Sequence, residues 1–389
     1  MPLARVLLVL AVGLGVYTYL GYPAMLSVLS LLRRRRSAGD PQTAWPQISI
    51  VLPVYNEASV IAGTLERILG LDYPADLRQV LVVSDASTDG TDEIVAGFAD
   101  RGVELLRVPR RQGKTAAENA ARRCLTGEII INTDASVRID PAAVKHLVAA
   151  FRDPSVGVAS ARDVSVTNLE QQANAGEQAY VGYEMWIRDV ETAVYGIVGA
   201  SGCLYAIRSE LHMGRVPEDL SRDFAAALTA REHGRRAVSV PAALCFVPRG
   251  ASLRQEYRRK VRTITRGLAT LTHKRALLNP LRYGVFAWML FSHKVCRWLV
   301  PGAGLLFLGA LLALAPHAVW AQVLLASLAV VGMLAAIAWM RPEGEPMPRL
   351  LALPAYVAAG NVAVLHAWLR LLAGRPAPVW EPTRRGAAS

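Results

Sequence analysis

Residues 46–57, PQISIVLPVYNE, begin a stretch that continues through 80–91, VLVVSDASTDGT, and 110–120, RRQGKTAAENA, to 129–140, IIINTDASVRID. Ile48 to Tyr55 is a continuous apolar, largely β-branched run, the pattern of a parallel strand covered on both faces. The following ASVIAGTLERILGL carries Val60, Ile61, Leu65, Ile68 and Leu69 at helical spacing. Three more strands are expected, from Gln79 to Asp85, over VELLRV, and over EIIINTD ending on Asp134, with helices between them. Strands alternating with helices predict a parallel, right-handed βαβ sheet of the nucleotide-binding type. Ligands of such sheets bind at the carboxyl ends of the strands, where Asp85 and Asp134 fall.

Working outward, the hydropathy is concentrated at the two ends. Of 389 residues, 53% are hydrophobic, yet the middle, roughly residues 33–282, has an ordinary soluble composition that can bury a core, with residues 33–248 expected as its α/β domain. Residues 6–32 contain no charge and are long enough to span a bilayer. They run directly into Arg33, Arg34, Arg35 and Arg36 without a small-residue cleavage site, which reads as an uncleaved anchor spanning residues 1–32. Only Arg5 precedes the anchor, so the positive-inside rule places the following domain in the cytoplasm, at the inner face of the plasma membrane.

The net charge of +12 comes from 43 basic and 31 acidic residues. Much of the excess sits in the arginine run and between Arg249 and Arg275, both flanking apolar segments. Lipid headgroups or a pyrophosphate account for that placement better than nucleic acid does, and no nucleic-acid partner is expected. Cys124, Cys203, Cys245 and Cys296 are widely spaced and form no CxxC or zinc pattern, which fits a reducing compartment.

Beyond Pro141 the pattern is less regular. Helices are expected over PAAVKHLVAAF, EQQANAGEQAYVGYEMWIRDVETAV and DFAAALTAREHG, with one or two strands in VGVASARDVSV and a closing strand in RAVSVPAALCFV. Residues 249–297 read as basic amphipathic or interfacial helices, because His293, Lys294 and Arg297 interrupt the apolar run 283–297 at a cost in mid-membrane. Segments 298–315, 319–340 and 350–372 are each able to span, which makes 298–373 a set of about three membrane helices and 374–389 a tail. If all three cross, Arg384 and Arg385 end outside.

Several residues suggest chemistry, each with a plain structural alternative. Asp85 and Glu57 can contact a nucleotide, or cap a turn and open a helix. Lys114 supplies a point charge for phosphate, or belongs to a solvated basic loop. A P-loop would need glycine at 108, where the chain has valine, so an NTPase reading fails. Asp134 is placed to hold a divalent cation, Mg²⁺ or Mn²⁺, against a departing diphosphate, with Ser136 beside it. A base for an acceptor hydroxyl can come from Asp223 or from Asp219, and an aspartate at 223 can equally cap a helix. The small residues of GASGCLYAIR, among them Gly202 and Cys203, offer a floor for an acceptor or form a packed turn. Arg258, Arg259, Lys260 and Arg262 can pair with a diphosphate or with lipid phosphates.

Taken in order, VLPVYNE, VSDASTDGT, the basic loop with GK, TDAS, GASGCLYAIR and SRDF resemble glycosyltransferase family 2. The resemblance is to the membrane-embedded branch that includes hyaluronan, chitin and cellulose synthases, and covers residues 47 to about 267. It implies an α/β, GT-A type (Rossmann-like) nucleotide-sugar domain flanked by transmembrane helices. It further implies inverting, metal-dependent transfer of a sugar from a nucleotide, with UDP expected, to a polysaccharide or lipid-linked acceptor at the membrane. By the resemblance Pro53, Glu57, Asp85, Lys114, Asp134, Arg259 and Arg262 bind the nucleotide sugar, Asp223 is the base, and Asp219 its alternative. The family's DxD motif is here Asp134-Ala135-Ser136, and its QxxRW motif is Arg259 to Thr263 with the Gln and Trp replaced. A single-transfer polyprenyl-phosphate or glycolipid transferase and an inactive sugar-nucleotide-binding membrane protein are the alternatives.

Overall fold

The structure is a computed structural model that describes residues 2–32, 44–166, 175–248, 252–343 and 347–375. The arginine run 33–36 and the terminal Arg384 and Arg385, on which the sidedness reading rests, lie outside the described residues.

The chain begins with α1 (Pro2–Val16), a π-helical turn (Tyr17–Gly21) and α2 (Tyr22–Leu32). The α/β part then alternates β1 (Ile48–Val54), α3 (Ala58–Leu69), β2 (Arg78–Ser84), α4 (Thr91–Ala96), β3 (Val103–Arg107), α5 (Lys114–Ala121) and β4 (Ile129–Thr133). These strands fall within a residue of their expected positions. β5 (Arg138–Ile139), α6 (Ala143–Ala149), β6 (Val156–Val166), α7 (Ala175–Val194), β7 (Leu204–Arg208), α8 (Ser209–His212), α9 (Arg222–Glu232) and β8 (Arg236–Pro248) complete it.

Among the described residues the sheet has eight strands, in the order β3-β2-β1-β4-β7-β6-β8-β5. β1 through β4 are mutually parallel, as their apolar runs predict. β7 is antiparallel to both β4 and β6, so the sheet is mixed beyond β4. The chain winds outward from β1 to β3 and returns to place β4 on the other side of β1. The point where strand order reverses therefore lies between β1 and β4, where open α/β sheets bind ligands. The β1–β4 ladder ends at Val51 and Asn132, two residues before Pro53, whose nitrogen has no proton to donate.

Apolar side chains pack on both sheet faces. Ile50, Leu52, Val82 and Ile131 lie in one cluster, and Val51, Leu81, Val83 and Ile130 in the other. Alternate residues of one strand enter opposite cores, which is why these strands lack polar alternation.

After β8 come α10 (Leu253–His273), α11 (Pro280–Tyr283), α12 (Val285–Leu290), a π-helical segment (Phe291–Cys296), α13 (Arg297–Leu314), α14 (Val319–Met340) and α15 (Arg349–Leu372). Among the described residues, four segments are long and apolar enough to cross a membrane by length and composition: Pro2–Leu32, Val285–His317, Val319–Met340 and Leu350–Leu372.

The second of these differs from the expected division at 297. Residues 285–317 form one continuous rod, in which the segment read as interfacial leads straight into α13. The charges that argued against continuity are met by α7. His293 is 1% exposed and sits between Glu191 (Nδ1 to Oε1 2.6 Å) and Glu184 (Nε2 to Oε1 2.9 Å), and Arg297 donates to Glu184. Tyr22 of α2 donates to the same Glu191 oxygen at 2.6 Å, which ties the N-terminal helix into the cluster. Ionisable groups on an apolar helix are met by protein partners, and here the partners come from α7 and α2.

Candidate active site

The loops at the carboxyl ends of β1 and β2 are bound to each other. Asn56 accepts from Thr88 N (2.8 Å), Glu57 N donates to Thr91 Oγ1 (2.9 Å), and Ala58 N donates to Asp89 (3.0 Å). Asp89 and Gly90 thus build the turn that carries the β2 loop, with Gly90 at φ 90°. Asn56 (φ 52°) and Ala86 (φ 60°) are the non-glycine residues with left-handed backbone among those described. Such conformations cost about 1–3 kcal/mol each and gather at functional sites.

Asp85 is 1% exposed at the end of β2. Its two oxygens accept from the backbone of Gln112 (2.9 Å) and Gly113 (2.7 Å), so the carboxylate holds the basic loop against the sheet. A carboxylate has about four lone-pair sites, so each oxygen retains capacity for a ligand. Arg111 of this loop stacks on Tyr55, with its guanidinium 3.9 Å from the ring centre. Glu57 stands at the mouth as the residue preceding α3.

Gly113, at φ 95°, turns the basic loop into α5, and Lys114 is the helix's first residue. The Lys114 ammonium donates to Asp134 Oδ1 and lies 3.3 Å from the Gly202 carbonyl. Burial alone would lower the Lys114 pKa, but the carboxylates of Asp134 and Glu118 outweigh it and hold the ammonium above its ordinary range.

Asp223 also meets Gly202. It is in the first turn of α9, where Ser221, not Asp223, is the N-cap. The Ser221 hydroxyl donates to Asp223 Oδ1, while Oδ2 would stand 2.9 Å from a Cβ placed on Gly202. A glycine at 202 is thus what leaves room for this carboxylate. Asp219 is instead exposed, on a surface hollow formed with Arg215, Pro217 and Glu218.

The remaining expected residues divide. Gly202 belongs to the cluster, whereas Cys203 packs its side chain against the core, its carbonyl accepting from Thr133 (3.0 Å) and its backbone nitrogen donating to Ser201 Oγ (3.1 Å). Arg259 pairs with Glu256 one turn back on α10 through two 2.8 Å contacts. Lys260 lies 3.5 Å from the ring centre of Tyr356 on α15, so this face of the basic helix covers an apolar helix. Arg262 is half-buried further along α10.

The residues that join α10 to the site escaped the sequence reading. Arg266 donates to Thr115 Oγ1 (2.7 Å) and to the carbonyls of Glu218 (2.7 Å) and Leu220 (2.8 Å), and Thr270 Oγ1 accepts from Ser221 N (2.9 Å). Arg266 is one helical turn after Arg262, the signal that would have found it. Beneath the cluster, Glu118 and Arg222 are buried as well, and neither shows any periodicity that sets it apart.

The donor set around Asp134 suits an oxygen-seeking cation only in part. Among the described residues no three His, Cys, Asp or Glu side chains converge on one point. The Asp134 side chain is nonetheless 28% exposed and turned toward the switch point, with Ser136 two residues on. One carboxylate with substrate phosphates is a donor set that Mg²⁺ accepts.

A half-parallel sheet with acidic residues at its switch point, followed by an antiparallel strand and a carboxylate from a later helix, defines a GT-A type nucleotide-sugar fold. Residues 49–200 match the family model described as Glycosyl transferase family 2, and the chain carries a domain of that family. A beta-monoglucosyldiacylglycerol synthase from Nostoc is 31% identical over 189 residues, 47% of this chain and 40% of the synthase. An N-acetylglucosaminyltransferase from Sinorhizobium fredii is 26% identical over 64% of this chain and 66% of its own length. A solved mannosyltransferase from Pyrobaculum calidifontis, in complex with GDP-Man and Mn²⁺, superposes with a TM-score of 0.71 at 25% identity. That likeness covers 94% of this chain and 99% of the mannosyltransferase.

Proposed function

We propose that the chain is an inverting glycosyltransferase that moves a sugar from a nucleotide donor to a lipid-linked or glycan acceptor at the inner membrane face. The observation that carries the proposal is the meeting of Lys114, Asp134 and Asp223 around Gly202. The first two come from the parallel half of the sheet and the third from the later helix. This is the division of labour that sugar transfer needs, with leaving-group charge on one side and a proton acceptor on the other.

In this mechanism the loops holding Glu57 and Asp85, with Pro53 closing β1, seat the nucleoside. The Lys114 ammonium faces the diphosphate and offsets charge as the bond to the anomeric carbon breaks. Asp134, with Ser136, would hold Mg²⁺ or Mn²⁺, which supplies Lewis-acid neutralisation of the leaving diphosphate. Asp223 takes the proton of the acceptor hydroxyl as its oxygen attacks from the opposite face, inverting the anomeric carbon. The Ser221 hydroxyl fixes one oxygen of Asp223 and leaves the other directed toward Gly202. Arg262 on α10 is the candidate for a further diphosphate contact.

A lipid acceptor is favoured over a processively extended polymer. The apolar helices border the site through Phe224, the residue after Asp223, which meets Trp298 of α13 edge to face at 6.3 Å. The glycolipid-synthase name of one relative points the same way. Membranes containing the protein, supplied with UDP- and GDP-sugars and Mn²⁺, test the proposal. Mass analysis should find a lipid product one sugar heavier, a polymer ladder would replace the lipid reading, and no turnover with any donor would contradict transferase activity.

A further inference from the structure

We propose that the buried pair of Glu118 and Arg222 is a positioning device that fixes the helix bearing Lys114 against the helix bearing Asp223. The inference rests on the transferase reading, since it assigns the pair no chemistry of its own.

Glu118 follows Lys114 by one turn of α5, and Arg222 immediately precedes Asp223. Their side chains are 1% and 5% exposed, with Arg222 Nε 3.8 Å from Glu118 Oε2. Arg222 spans three elements. Nη1 donates to Asn119 of α5 (2.8 Å) and Nη2 to the His212 carbonyl of α8 (3.1 Å). Asn119 in turn donates to the Val216 carbonyl (2.7 Å) and accepts from Val216 N (3.2 Å), so α5 is clamped to the segment leading into α9.

This arrangement is poor as a stability device. Neither Glu118 oxygen receives a hydrogen bond from the described residues, and the Tyr205 hydroxyl and Asn132 Nδ2 nearby also lack partners. A buried carboxylate without donors costs more than its distant ion pair returns, and apolar replacements of such pairs are often neutral or stabilising. Burial pushes the Glu118 carboxyl upward, against the pull of Lys114 and Arg222. What the pair does accomplish is geometric: a charge on each helix, one residue or one turn from a group in the site, with no slack in the fork of Arg222.

The test compares wild type with Glu118→Gln, Arg222→Lys and the apolar double variant Glu118→Leu/Arg222→Met. Melting temperature, kcat and donor KM are measured with whichever of UDP-glucose, UDP-N-acetylglucosamine and GDP-mannose the wild type uses. The double should melt no lower than wild type, while its kcat falls at least about tenfold and donor KM stays within about twofold, because misplacement of a base acts on the reacting geometry. Arg222→Lys, which keeps the charge without the fork, should fall between. A double with wild-type kcat overturns the pair's role while leaving the transferase reading intact, as does a loss confined to KM. A double that fails to fold marks the pair as structural and overturns it too. A wild type that turns over none of the donors overturns the transferase reading and the positioning role with it.

Discussion

A Cβ at Gly202 would lie 2.9 Å from Asp223 Oδ2 and 3.4 Å from its Cγ. The close neighbour is the mobile end of a side chain, so Gly202→Ala should displace the carboxylate and leave the fold standing. Misplacement of a reacting group by about 1 Å costs on the order of 100-fold. Steady-state kinetics beside a thermal melt should find kcat down by roughly that factor with melting little changed, and a folded variant of full activity would break the link between Gly202 and Asp223.

Gly127 gives the opposite result. There a Cβ would stand 2.4 Å from the backbone nitrogen of Ser49 and 2.5 Å from the carbonyl carbon of Ile48, with no flexible atom to yield. Gly127→Ala should force β1 and β4 apart at the start of their ladder and cost about 3 kcal/mol or more. Denaturation of the purified variant measures this, and a stability within about 1 kcal/mol of wild type would contradict the packing described.

His212 sets a pH dependence of stability. Burial, and then the guanidinium groups of Arg222 and Arg122, hold its pKa well below the ordinary value of 6.5. Above 6.5 it is neutral in both folded and unfolded chains. Below 6.5 the unfolded chain binds a proton that the folded one refuses, so stability falls with pH, by up to about 1.4 kcal/mol per unit for one proton. His212→Asn should flatten the melting curve's pH slope between about pH 6.5 and 5. An unchanged slope would remove His212 as its source.

A cation site resting on Asp134 and substrate phosphates should be weak without the donor. Chelation with EDTA is expected to abolish turnover, and added Mn²⁺ or Mg²⁺ to restore it. Asp134→Ala should lose about 100-fold or more in kcat/KM, and excess metal should not restore it. Undiminished turnover in EDTA would mean that Lys114 alone meets the diphosphate charge.

The parallel half of the sheet was legible because its information is local. Ile48–Val54 and Ile129–Thr133 are mostly apolar and buried along their whole length, and each is followed by the polar residues of the candidate site. The mixed half was less so, since nothing in Leu204–Arg208 states that it will pair antiparallel between β4 and β6. The continuity of 285–317 was hidden for a related reason. His293 and Arg297 read as membrane-averse until Glu184 and Glu191, about a hundred residues earlier, are seen to meet them. In the same way Glu118 and Arg266 resemble any charged residues on amphipathic helices, and only the fold turns them inward.

In the proposed mechanism Asp223 takes the acceptor's proton at a site whose donor side is built separately. Asp223→Asn keeps the shape and removes the base, so single-turnover measurement beside donor binding by calorimetry addresses the claim most directly. The expected rate is lower by about 10²- to 10⁴-fold, with donor affinity unchanged. Full activity in Asp223→Asn would contradict it.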